Sequence, residues 1–95
     1  MKMEPVQRRA YVLIELRPGK ELEFYEEVKD IEGVEKSLTY MDIVHGPFDA
    51  VMIIEADLKT LDALIMKVRG LPQVVRTETL MNFEIFSWEE LSGRI

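Results

Sequence analysis

Cysteine is absent from this sequence and histidine occurs once. Without a thiol there is no disulfide, no thiolate nucleophile and no cysteine metal site, and a single imidazole cannot build a histidine-rich one. Neither a metal nor a cofactor is therefore expected. Long apolar runs are also missing. Nothing approaches the roughly 20 residues that a bilayer helix needs, and the N-terminal residues Met1 to Arg9 lack the apolar core of a secretion signal. A cytoplasmic, non-membrane protein is the expectation. Positive charge is scarce as well, with 12 Lys and Arg against 18 Asp and Glu and a net charge of −6. Nucleic-acid affinity rests on a basic surface that displaces counterions, so direct nucleic-acid binding is not expected.

What the chain does contain is an apolar fraction of 47% beside a charged fraction of 32%, over 95 residues. That is the balance of one soluble globular domain with a modest core. Its organising stretch runs from Ile43 to Ala56. Gly46 and Pro47 fit a tight reversal and would sit badly in a central strand. After Asp49, the run Ala50 to Ala56 places Val51, Met52, Ile53 and Ile54 on both faces, which reads as a strand covered on both sides.

The remaining elements follow from periodicity. Residues 1–8 show none and read as a flexible lead-in to a domain over 9–83. Arg9 to Leu16 reads as a second central strand, apolar on both faces. Pro18 suits the first turn of a helix in which Phe24, Tyr25, Val28 and Ile31 recur at helical spacing up to Gly33. The acidic residues Glu21, Glu23, Glu26, Glu27 and Asp30 form its solvated face. Val34 to Val44 alternates poorly and reads as an outer strand. Asp57 is placed to cap a helix whose stripe is Leu61, Leu64, Ile65, Val68 and Leu71, closed by Gly70 before Pro72. Val74 to Phe83 reads as a fourth strand. Residues 84–95 form an extension in which Ser87 to Glu90 resembles a capping box, with Trp88 and Leu91 expected to anchor a short helix to the fold or to a partner subunit.

A gapless shift of 40 positions lays Tyr11 to Ile43 over Val51 to Phe83. Ile14 then meets Ile54, Val28 meets Val68, Thr39 meets Thr79 and Met41 meets Met81. Two strand-helix-strand units give βαββαβ, an α+β ferredoxin-like fold with a four-stranded antiparallel sheet and both helices on one face. Its central strands are apolar on both sides, so the face away from the helices must expose either Tyr11 and Leu13 or Val12 and Ile14. Such a patch marks an interface, and a two-fold, sheet-face homodimer is the expected arrangement. Its candidate residues are Tyr11, Val12, Leu13, Ile14 and Ile53.

Glu32-Gly33-Val34, Val44-His45-Gly46-Pro47-Phe48-Asp49 and Val74-Val75-Arg76-Thr77-Glu78-Thr79, in that order and spacing, resemble the effector-binding half of the Lrp/AsnC, or feast/famine, transcription regulators. The resemblance covers about Ala10 to Phe83. It is to that half, the RAM domain, standing alone, because eight residues before Arg9 cannot hold a helix-turn-helix. The resemblance implies a regulatory sensor of an amino acid or similar metabolite, whose domains pair through their sheets as a dimeric α+β barrel and associate further into rings of dimers. Full-length regulators of the family are implied as further partners. It also implies a ligand cleft between dimers that draws on Gly46, Pro47, Phe48, Asp49, Thr77 and Thr79. Their chemistry suits such a ligand: a carboxylate for the ammonium, and amides and hydroxyls for the carboxylate. Each residue also has a plainer use, since a turn needs Gly46, Asp49 can bond turn amides, and threonines favour strands.

Two other functions fit the fold. A small dimeric enzyme of the monooxygenase or isomerase type would need a nucleophile and base or a metal set, for which only His45 and Asp49 offer themselves. A third reading is a ligand-free partner that joins full-length regulators. An RNA-recognition module shares the topology but needs stacking aromatics and basic residues that the strand Ala50 to Ala56 lacks.

Overall fold

The computed structural model describes residues 7–83 and 88–93. In chain order the elements are β1 (Arg8–Leu16), α1 (Glu21–Lys29), α2 (Val34–Ser37), β2 (Leu38–Ile43), β3 (Ala50–Ala56), α3 (Leu58–Arg69), β4 (Val74–Met81) and α4 (Trp88–Gly93). The strands form one antiparallel sheet in the order β2-β3-β1-β4. This is the ferredoxin-like βαββαβ fold, with the two apolar strands at its centre.

Alternation along β1 and β3 divides their side chains between two environments. Ala10, Val12, Ile14 and Leu16 point with Ala50, Met52, Ile54 and Ala56 toward the helices, where all are buried. Phe24 and Val28 of α1 and Leu61, Leu64 and Val68 of α3 close this layer. The alternative left open by the sequence is thereby decided. Val12 and Ile14 are fully buried in the core, which removes them from the interface candidates. Tyr11, Leu13 and Ile53 lie on the other face.

Of the boundaries that differ from the periodicity, three have a clear local cause. α1 starts at Glu21 because Pro18 and Gly19 instead form a turn, closed by the Lys20 amide donating to the Arg17 carbonyl at 3.1 Å. Val34 to Ser37 is a helical turn rather than the beginning of a strand. Gly33 supplies the left-handed φ of +85° that enters it, and Val34 and Ser37 are buried from it. β2 then begins at Leu38 and carries a bulge, since Leu38 faces Ile54 and Tyr40 faces Ile53. The extra residue, Thr39, breaks the alternation that a regular strand would show. The capping-box serine, Ser87, lies outside the described residues, as do residues 1–6 of the expected lead-in over 1–8, of which Arg8 already belongs to β1. Among the described residues no helix is long and apolar enough to cross a membrane.

Asp57 occupies the N-cap position of α3, and its carboxylate accepts the Thr60 hydroxyl. That bond holds the Asp57 carboxyl below its ordinary value of 3.8. The stabilisation linked to it is complete above the unfolded-state value and fades as pH falls through the lower folded-state value. Thr60→Val should move the Asp57 carboxyl back toward 3.8 in an NMR pH titration; an unmoved titration would contradict the bond. In the core, Phe24→Ala should cost about 3–5 kcal/mol in urea unfolding, whereas Leu22→Ala, 79% exposed on the same helix, should be close to neutral.

Candidate functional site

The loop between β2 and β3 is closed at its base by the Val44 amide donating to the Asp49 carbonyl at 2.9 Å. Inside it Gly46 has φ +144°, a backbone region that residues with a Cβ rarely adopt. His45, Gly46 and Pro47 are exposed, and Phe48 and Asp49 are half-buried. The amides of Gly46 and Phe48 have no hydrogen-bond partner among the described residues.

Asp49 is fixed to the end of β1 at two points. Its amide donates to the Ile14 carbonyl at 2.8 Å, and one carboxylate oxygen accepts the Leu16 amide at 2.8 Å. The aspartate thus satisfies a strand donor just where the β1–β4 pairing is irregular, between Glu15 and Leu16. Its plainer structural use is real, and the second oxygen is left over for another donor. No hydrogen bond joins Asp49 to His45 among the described residues, so the acid/base pair that the enzyme reading needs is not assembled.

Arg76 connects this loop to β4. Its guanidinium lies 4.6 Å from the centre of the Phe48 ring, while Nε donates to Glu15 at 2.9 Å and Nη1 donates to Glu78 at 3.1 Å. Cation–π contact and paired carboxylates hold the side chain across the end of the sheet, and the Glu15 hydrogen bond raises its pKa further. Periodicity did not single out Arg76, although it stands within the motif on β4. Its role depends on lying opposite Glu15 in the sheet, a register that one strand read alone does not disclose.

The two threonines are placed differently. Thr77 pairs with Ile14 and Thr79 with Val12, so both project toward the helix side, away from Arg76 and Phe48. Thr77 is half-buried and Thr79 exposed, and neither hydroxyl has a partner among the described residues. Asp49 bonds to β1 at Ile14, level with Thr77, whereas Thr79 sits two residues further along, about 7 Å away. Thr77, Arg76, Arg69, Val74 and Val75 line an open cavity of about 270 Å³ that does not reach the Gly46 loop. One subunit therefore presents two partial surfaces, a loop whose amides lack partners among the described residues and a strand edge whose threonine hydroxyls do, the latter beside Arg69 of α3 and the ion-paired Arg76.

The open sheet face carries a row across all four strands, Tyr40, Ile53, Tyr11 and Leu80, with Leu13 and Val51 beside it. Charges border it at both ends: Arg9 with Glu55 at 3.5 Å, and Arg76 with Glu15 and Glu78.

Neither a family model nor a curated protein matches this sequence. Solved structures do. TTHA0845 from Thermus thermophilus has a TM-score of 0.72 at 27% identity, over 84% of this chain and 98% of that one. FFRP-DM1 has a TM-score of 0.68 at 28% identity, over 80% and 99%. The transcriptional regulator NMB0573 of Neisseria meningitidis, solved in complex with L-Met, has a TM-score of 0.67 at 11% identity, over 84% and 52%. AsnC-family transcriptional regulators are also among the structural matches, at identities of 15% and 11% that carry a likeness of fold. The structural neighbours thus include AsnC-family transcriptional regulators, which are not enzymes, and the chain shares the fold of the part of each that it covers. It spans about half the length of NMB0573 and of E. coli AsnC.

Because Asp49 serves β1, removing its carboxylate leaves the Leu16 amide without a partner. Asp49→Ala should lower stability by about 1.5–3 kcal/mol, and Asp49→Asn, which keeps an acceptor, should recover most of it. Equal losses in the two variants, read from urea midpoints, would contradict this account.

Proposed function

We propose that this chain is a regulatory, small-molecule-sensing module of the Lrp/AsnC type, binding an amino acid or related metabolite in a cleft completed by another subunit. One observation carries the reading. The groups that suit such a ligand are present with hydrogen-bonding capacity to spare, yet one subunit distributes them over separate surfaces. An α-amino acid needs an anion for its ammonium and several donors for its carboxylate. Asp49 retains a carboxylate oxygen, and the Gly46 and Phe48 amides and Thr77 hydroxyl are donors without partners among the described residues. Pro47 fixes the loop that presents those amides, and Thr79 extends the donor row on β4.

The open sheet face supports pairing as a homodimer. Tyr40 and Leu80, at the two ends of its apolar row, are 63% and 55% exposed. Laying the faces of two copies together removes this row from water, and charged borders set the register. Further association into a ring would bring the loop of one dimer to the β4 surface of another, and the same contacts suit full-length regulators with this domain. The L-Met complex of NMB0573 makes an amino acid the first ligand class to test.

A thermal-shift screen against the proteinogenic amino acids should find at least one that stabilises the protein, by about 2.7 kcal/mol at 100 times its dissociation constant. Asp49→Asn should abolish that response while its ligand-free melting temperature stays near wild type. A screen with no hit, or an unchanged response in Asp49→Asn, would reject the ligand and its placement respectively. Independently, Ile53→Lys should turn a dimer into a monomer in analytical ultracentrifugation; a wild-type protein that is monomeric at micromolar concentration would reject the shared cleft.

A further inference from the structure

The sheet ends in two edges, β2 and β4. β2 is interrupted by the bulge at Thr39. β4 pairs regularly with β1 from Arg76 to Met81 and contains neither proline nor lysine, which commonly blunt an edge. Its Glu78, Thr79, Leu80 and Met81 are all exposed. α4 also leaves its own Trp88 77% and Leu91 47% exposed, so the expected anchorage of that helix to its own subunit is not found among the described residues. The ladder shows which main-chain groups of β4 are unused. Ala10 stands opposite Met81, and one step further the Asn82 amide donates to the Arg9 carbonyl at 2.9 Å. Antiparallel pairs alternate between bonded and non-bonded positions, so Leu80, Glu78 and Arg76 also turn their amides and carbonyls to β1, and Thr77 and Thr79 turn theirs outward.

We propose that β4 pairs antiparallel with β4 of a second copy about a two-fold axis at Thr77, and that this edge joins dimers of the sheet-face kind; the joining of dimers rests on the pairing proposed above. The residues of the strand select the axis. With the two-fold at Thr77, the outward amide and carbonyl of Thr77 meet those of the same residue in the second copy, and Arg76 stands directly opposite Glu78 of that copy, twice over. A two-fold at Glu78 would set two carboxylates face to face, and one at Thr79 would set Glu78 against Leu80. Arg76 already bonds Glu15 through Nε and Glu78 through Nη1, while its Nη2 has no partner among the described residues. The axis at Thr77 leaves those bonds in place and closes two Arg76–Glu78 pairs into one ring of alternating charge. The irregularity between Glu15 and Leu16 ends the regular edge at Arg76, so the contact is short. One such strand pair is marginal alone. A dimer carries two of these edges, and contacts of this self-complementary kind between dimers close into a ring.

The chain has no cysteine, so one introduced thiol reports on the edge in the whole protein. Under mild oxidation Thr77→Cys should cross-link to itself, since directly opposed residues in such a pair lie about 5.5 Å apart. Thr79→Cys should not, because its counterpart then lies about 13 Å away along the strand. In analytical ultracentrifugation the wild type should associate beyond the dimer as concentration rises, and Arg76→Glu and Glu78→Arg should each stop at the dimer. An equimolar mixture of the two variants should regain the larger species, because the exchanged charges again face their opposites, which also shows that both variants are folded. Absence of the Thr77→Cys cross-link, or an equal one from Thr79→Cys, would overturn the axis. A wild type that remains a dimer at every concentration, or variants that associate as the wild type does or fail to recover on mixing, would overturn the edge contact. A monomeric wild type would reject the sheet-face pairing, and the Thr77→Cys cross-link would still decide the edge.

Discussion

A β-strand that is apolar on both faces cannot be finished by one layer of helices, and this chain places two such strands side by side. β1 and β3 pair along their length from Arg8 opposite Ala56 to Ile14 opposite Ala50. Every second residue of the pair enters a helix-covered layer in which Val12, Ile14, Met52 and Ile54 are wholly withdrawn from water. The intervening residues, Tyr11, Leu13, Val51 and Ile53, belong to a surface that no described element of the subunit covers. The fold and its open apolar face therefore share one origin in the sequence, a pair of short strands with more apolar surface than two helices can hide.

The internal repeat also acquires a geometric meaning. Val12 and Met52 occupy equivalent positions of the two units and face each other in the sheet, so a pseudo-two-fold axis passes between them. The helices obey it, with Phe24 and Leu64, and Val28 and Val68, buried in equivalent places. The outer strands do not. Met81 of β4 pairs with Ala10 of β1, whereas its counterpart Met41 pairs with Met52 and it is Ile43 that faces Ala50. From Tyr40 to Ile43 this slip of two residues preserves the facing of each side chain, which is why the hydrophobic pattern tolerates it, whereas before the bulge Leu38 faces the helices and its counterpart Glu78 the open side. It accompanies the helical turn α2, the bulge at Thr39 and the loop closed between Val44 and Asp49. The candidate site gathers where the two halves of the molecule cease to resemble each other.

Asp49 shows how a side chain with a structural use can still be offered to a ligand, as proposed above. One oxygen completes the hydrogen bonding of β1 through Leu16, and this bond fixes the direction of the other. A carboxylate held by the sheet is more rigid than one on a free loop, which suits the recognition of a small ligand. Arg76 is held as firmly, since the ring of Phe48 and the carboxylates of Glu15 and Glu78 lock it across the sheet end.

Much of this was legible in the order of the amino acids. Two-sided strands, helical stripes and the glycine-proline reversal fixed the element order and the βαββαβ pattern, because those signals are local and repeat at 2.0 or 3.6 residues. The stretch from Val34 to Leu38 was misleading, since a turn entered through a left-handed Gly33 buries Val34 as well as a strand would. The resemblance grouped Thr77 and Thr79 with the turn, but strand parity sends them to the helix side and Arg76 to the other. By itself, then, the sequence determined the four strands and the two long helices and that one sheet face would be left apolar, since both depend on neighbours along the chain. Only the tertiary structure decided which alternate residues face the helices, that Arg76 meets Phe48 and Glu15, and that Trp88 lies bare. Those facts depend on strand register and helix position, which are set by contacts between residues far apart in the chain.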